Sequence, residues 1–238
     1  MRTHLFTLLA LAPLLLSAAP APEGGTLVTP AGAIGTLREV AASPHGTLAR
    51  VAVEGQPFGD AVRCAITTPP ARPWDVQFQF RTIRAVQKGE VLWMRFYART
   101  IGARGESGEG VIHPIFERAS PPHEKSLDLN LGIGREWREY CLPFRAENAY
   151  PAGGASTGFH LGIQEQTVEI ADFAVYAFGK NFDISRLSRT RIAYAGQAPD
   201  APWRAAAQAR IEQYRKGDLT VVVTGADGKP AVGATVNV

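Results

Sequence analysis

Between Thr26 and about Lys180 the chain repeats one pattern: short runs of alternating, β-branched or aromatic residues, each cut off by Gly, Pro or Asp. Runs of this kind make strands joined by tight turns. The 24 glycines and 17 prolines are spread among the runs rather than gathered in one tract, as a fold of many short strands requires. Nine segments qualify: Ala49–Val53, Ala61–Thr67, Trp74–Arg81, Glu90–Thr100, Val111–Glu117, Lys125–Leu131, Arg138–Pro143, Thr157–Gln164 and Thr167–Phe178. About that many strands fill two packed antiparallel sheets, so the predicted fold is all-β, a jelly-roll β-sandwich over residues 26–180. With 45% hydrophobic and 20% charged residues, the chain can bury one substantial core.

Strand side chains alternate between two faces. In Glu90–Thr100, Leu92, Met94, Phe96 and Ala98 therefore share a core face, and Trp93, Arg95, Tyr97 and Arg99 share an amphipathic one. Phe159, Leu161 and Ile163 likewise read as core, which leaves His160 and Gln164 on the opposite side.

The flanks follow other rules. Arg2, an apolar run from Leu5 to Leu16, and Ser17-Ala18-Ala19-Pro20-Ala21 form the three regions of a secretory signal over residues 1–21. The run is shorter than the roughly 20 residues of a membrane span, so a secreted or periplasmic protein, free of the membrane after signal removal, is expected. Residues 181–217 read as a linker with a helix over 201–216. Asp200 is its predicted N-cap, Pro202 lies in its first turn, and Gly217 is its stop. Trp203, Ala207, Ile211 and Tyr214 make an apolar stripe at helical spacing. Residues 218–238 read as an incomplete β-segment, with Asp227-Gly228 as a hairpin turn between β-rich runs.

A net charge of +3 with no basic block gives no reason to expect a nucleic-acid partner. Cys64 and Cys141 lie in separate strand-like runs, and the spacing leaves both a disulfide and two buried thiols open. Gly105-Glu106-Ser107-Gly108-Glu109 is not a nucleophile elbow, and the five histidines show no zinc-ligand spacing. Glu117, Asp128, Glu165, Glu169 and Asp172 offer carboxyl groups, but no pairing across a scissile bond is legible, so no catalytic residue is expected. Sugar binding asks for aromatic rings against the C–H face and Arg, Glu, Gln or His against the hydroxyls. Trp93, Arg95, Tyr97 and Arg99, extended by Glu117, His160 and Gln164, form the expected carbohydrate cleft. Trp74 and Trp137, where strands begin, read as core or rim packing. Asp172 is the candidate ligand of a structural Ca²⁺.

The run from Gln87 to Arg99 (QKGEVLWMRFYAR), with Glu136–Phe144 (EWREYCLPF) and Gln166–Phe173 (QTVEIADF), resembles the galactose-binding-like jelly rolls of carbohydrate-binding module families 4, 9 and 22. Asp200-Ala201-Pro202-Trp203-Arg204, Arg215-Lys216-Gly217-Asp218-Leu219 and Asp227-Gly228-Lys229-Pro230 resemble the junction before the catalytic barrel in modular endo-xylanases of glycoside hydrolase family 10. The resemblance implies a non-catalytic front region that binds xylan or a related β-glycan, with the catalytic domain outside this sequence. The rival expectation is a ligand-free structural sandwich that packs on that barrel.

Overall fold

A computed structural model describes residues 23–37, 43–105, 107–192, 197, 200–218 and 220–237. The expected signal at 1–21 lies outside them. The chain divides into two compact units, Met1–Ala195 and Gly196–Val238.

The first unit is the expected β-sandwich. Its strands are β1 (Thr26–Leu27), β2 (Gly46–Ala52), β3 (Asp60–Ile66), β4 (Gln77–Arg81), β5 (Val91–Ala103), β6 (Gly110–Arg118), β7 (Lys125–Asp128), β8 (Leu131–Ile133), β9 (Arg138–Arg145), β10 (Ala155–His160) and β11 (Gln166–Ala177), with a short helix α1 (Ala33–Thr36). Among the described residues one sheet runs β2-β3-β11-β5-β9, with β1 also paired to β11. The other runs β4-β10-β6-β7, with β8 on β6. All pairings are antiparallel. Each of the nine predicted runs contains a strand. Several boundaries differ, two of them for evident local reasons: Pro73-Trp74-Asp75 forms a 3-10 turn, so β4 starts at Gln77, and the predicted Lys125–Leu131 breaks into β7 and β8.

The core is aromatic. Phe96 and Phe159 meet edge to face at 4.8 Å, Phe159 contacts Phe78 and Phe173 at 5.2 Å each, and Phe96 stacks on Tyr140 at 5.3 Å. Such pairs add about 0.5–1.5 kcal/mol each beyond the burial of their surface. Leu92, Met94, Phe96 and Ala98 are buried as the alternation predicts, and so are Phe159 and Leu161. Ile163 is only half-buried, because β10 ends at His160 and the alternation ends with it.

A second, smaller apolar cluster lies on the far side of β5. Val91, Trp93, Cys141 and Leu187 are buried there against Tyr176, Phe178, Phe182 and Ile184. The segment after β11 thus folds back over its own sheet, and paired bonds between Thr190 and Cys141 fasten it: Thr190 N–H to the Cys141 carbonyl and Cys141 N–H to Thr190 Oγ1, both 2.8 Å.

Cys64 belongs to the main core and Cys141 to this second cluster, and both are free thiols. Burial pushes the Cys64 thiol up to about 12 and the Cys141 thiol up to about 11. Since the thiolate is the reactive species, native protein at pH 8 is expected to be inert to an aromatic disulfide reagent, with both thiols released in 6 M guanidinium. Fast reaction of either thiol in native protein would contradict this packing.

In the second unit, α2 (Pro202–Tyr214) forms as expected, but Ala201 is its N-cap, with no side-chain cap bond, in place of the predicted Asp200. Ile211 and Tyr214 are exposed. The Asp227-Gly228 turn is present, with Gly228 at φ 74°, Gly225 N–H bonded to the Lys229 carbonyl and a Thr224–Pro230 bridge. No helix among the described residues is long and apolar enough to cross a membrane.

Candidate functional site

The seven residues expected to share a cleft are split between opposite sides of the sandwich. Trp93, Arg95, Tyr97 and Arg99 stand on the outer face of the β2-β3-β11-β5-β9 sheet, whereas Glu117 and His160 stand on the outer face of the other. Trp93 is buried, its indole Nε1–H donating to the Ser188 carbonyl at 2.8 Å. Arg95 is 2% exposed and holds two carboxylates, Glu139 and Asp172, the latter at 2.7 Å. Arg99 donates to Glu169, which is fully buried and also holds Arg63. Above them Phe58 packs on Tyr97 at 5.0 Å and on Trp137 at 4.9 Å, and the Arg99 guanidinium covers the Trp137 ring at 4.8 Å. These groups satisfy one another. Alternation assigns them a common face correctly, but the cover on that face comes from residues far away in sequence, Phe58 and Trp137 among them.

Asp172 sits at φ 47° in a bulge, where a one-residue shift separates the Ala171–Tyr97 and Ala174–Arg95 pairs. Aspartate tolerates this left-handed backbone better than most residues. The extra residue lets Phe173 face the core while Asp172 meets Arg95. A guanidinium at 2.7 Å already neutralises this carboxylate, so the arrangement does not fit a Ca²⁺ site. Among the described residues no group of three or more His, Cys, Asp or Glu is placed to hold a metal ion.

Gln164 is also structural. Its amide donates to the Glu109 carbonyl at 2.9 Å, and its neighbour Gln166, buried, bonds both Val111 N–H and Val111 C=O, tying the start of β11 to β6.

Glu117 and His160 belong to a groove of about 540 Å³ on the β4-β10-β6-β7 sheet. Cross-strand register builds it. Gln77 lies opposite His160 and His160 opposite His113; at the other end Arg81 lies opposite Ser156 and Ser156 opposite Glu117. Lys125 pairs with Glu117 from β7. Between Ser156 and His160 the floor is bare at Gly158. A Cβ there would fall 2.1 Å from the Phe78 carbonyl oxygen, so the close approach of β10 to β4 admits only glycine.

The polar groups of the floor hold one another in place. Gln79 Nε2 lies 3.3 Å from Glu117 Oε1 and 3.5 Å from His160 Nε2, and Glu117 is ion-paired with Lys125. Trp74, 47% exposed, stands at the groove's end on the 3-10 turn, its ring 6.0 Å from that of His160 and flanked by the Arg72 guanidinium. Sequence reasoning set Trp74 aside as packing. The proline before it was the available signal, because Pro73 ends the strand pattern and projects the next side chain from a turn.

Burial pushes the His160 imidazole down to about 4, only partly opposed by the Glu117 charge. It is therefore a neutral hydrogen-bonding group at pH 7. Between pH 6.5 and about 4 the unfolded chain binds a proton here that the folded chain does not. Acidification through that window thus favours unfolding, and stability present above pH 6.5 is lost toward pH 4, up to about 3 kcal/mol. Wild type is expected to lose more urea stability than His160→Gln between pH 7 and pH 4.5. Equal losses would remove this role.

No protein-family model and no curated protein sequence matches the chain. Solved structures similar to it include a family 4 carbohydrate-binding module (TM-score 0.43, 15% identity, covering 56% of this chain and 77% of that one). Another is the N-terminal cellulose-binding domain of β-1,4-glucanase C from Cellulomonas fimi (0.40, 16%, 58% and 96%). A third is the CBM22-1 xylan-binding domain of Xyn10C from Paenibacillus barcinonensis (0.41, 11%, 66% and 98%). The likeness lies in the arrangement of strands, and no residue role passes from these proteins to this chain.

Proposed function

We propose that the sandwich is a non-catalytic carbohydrate-binding module for xylan or a related β-glycan, and that it uses the β4-β10-β6-β7 groove. The observation that carries this reading is the solvent-exposed Trp74 ring beside a row of fixed polar groups. A pyranose ring presents C–H bonds to an aromatic face, and its hydroxyls then need donors and acceptors such as Gln77, Gln79, Glu117 and neutral His160. Because these groups are already held by one another, little side-chain freedom is lost on binding. The groove's buried carboxylate, Glu117, is bound by Lys125 and Gln79, which suits a hydrogen-bonding role better than proton transfer.

The resemblance of residues 200–230 to a xylanase junction supports an exported, modular glycoside hydrolase of family 10 type as the parent. Such a module would concentrate the enzyme on its substrate. In that setting the exposed Ile211 and Tyr214 of α2 favour a packing role for the helix.

The test is affinity electrophoresis of the full chain in gels cast with soluble xylan, with soluble β-glucan, or with neither. Retardation by at least one glycan is expected. Mobility unchanged by every glycan would overturn the reading.

A further inference from the structure

The groove is uneven in charge along its length. Its Trp74 end presents Gln77 and His160, whereas its far end gathers Arg81, Glu117, Lys125 and His123 around Ser156, Ala119 and Pro122. Glu117 is matched by Lys125. Glu124, beside His123, is matched by Arg118. Arg81 is exposed, and the one hydrogen bond of its side chain runs from Nη1 to the Ala119 carbonyl at 3.1 Å. Among the described residues it pairs with no carboxylate. The groove lining thus carries one positive charge in excess, on a guanidinium steadied by a single bond. Four of its five N–H donors remain for a ligand.

His123 adds a second fixed group. It is held at φ 57°, a costly backbone for a non-glycine residue, by its N–H bond to the Ser120 carbonyl at 3.0 Å. Its Nδ1 lies 3.1 Å from the Arg118 carbonyl, and a carbonyl can only accept, so Nδ1 carries the proton. Nε2 is left as the nitrogen open to a ligand.

We propose that this end of the groove reads a carboxylate, so that the preferred ligand is a glycan bearing uronic acid residues. Arg81 forms the bidentate contact, and His123 engages an adjoining hydroxyl. A guanidinium fork matches a carboxylate in shape as well as charge, which an ammonium does not. The ligand's C–H face would then stack at the Trp74 end while its acidic substituent lies at the other. This inference rests on the groove being the glycan site.

The probes are soluble glucuronoxylan and the same polysaccharide after chemical reduction of its carboxyl groups to alcohols, each titrated into the full chain by calorimetry. Wild type is expected to bind the native polymer about tenfold more tightly than the reduced one, as one charge-assisted pair at an exposed site provides. That preference should shrink in 1 M NaCl, where charges are screened beyond about 3 Å. Arg81→Gln is expected to bind both polymers alike, at the wild-type affinity for the reduced form, and Arg81→Lys to keep part of the preference. Equal wild-type affinity for the two polymers would overturn the inference and leave the groove reading intact. Equal weakening of both by Arg81→Gln would do the same. Failure of wild type to bind either polymer would overturn the groove reading and the inference with it.

Discussion

Trp74→Ala is expected to abolish measurable retardation in xylan or glucan gels, a loss of at least about 2 kcal/mol, or roughly thirtyfold, as for an aromatic anchor at the centre of a binding surface. The same substitution should leave the unfolding free energy within about 1 kcal/mol, because the ring is 47% exposed and stands outside the core. Trp74→Phe should retain part of the affinity, since a smaller aromatic face remains. The combination discriminates: a structural tryptophan would lose stability and binding together, whereas a platform loses binding alone. Glycan affinity unchanged in Trp74→Ala would remove the stacking role and leave the groove without its apolar surface.

The second large effect runs the other way. Arg95→Ala is expected to destabilise the sandwich by about 3 kcal/mol while leaving glycan affinity unchanged. Arg95 is almost wholly buried between Glu139 and Asp172, so its removal strands two carboxylates and empties the space its stem fills. The figure sits at the low end for broken buried ion pairs because both carboxylates retain solvent contact. Arg95→Met with Asp172→Asn and Glu139→Gln should recover part of the loss, since it removes the stranded charges and restores volume. Urea unfolding monitored by tryptophan fluorescence gives the stability, and affinity electrophoresis gives the binding. Lost binding at full stability in Arg95→Ala would return Arg95 to the ligand site and contradict the two-face geometry.

These two residues mark where sequence reading succeeded and where it stopped. Arg95 was expected in the cleft because it alternates with Trp93, Tyr97 and Arg99 on one strand face, and that shared face is real. Period two reports that side chains are neighbours, but not which sheet they stand on or what covers them. The cover comes from Phe58, Trp137 and the segment through Ser188, brought together by chain reversals that no local pattern encodes. His160 was correctly separated from the core by alternation, and Glu117 was only grouped with it as a possible extension of the cleft. Their proximity depends on β10 pairing with β6, Ser156 opposite Glu117 and His160 opposite His113. Trp74 was read as core or rim packing because a turn tryptophan three residues before a strand looks like packing until its exposure is known. Asp172 looked like a free carboxylate until the bulge set it against Arg95.

What the sequence determined by itself was the all-β class, most of the strands, though not β1 or the break between β7 and β8, and the core face of β5, because strand propensity, turn residues and period-two burial act over a few neighbouring positions. The tertiary structure alone decided that the amphipathic face of β5 would be closed by ion pairs and returning chain, and that the open groove would lie on the opposite sheet. Charge pairing and burial are settled between residues far apart in sequence. A local pattern carries only one side of each such pair.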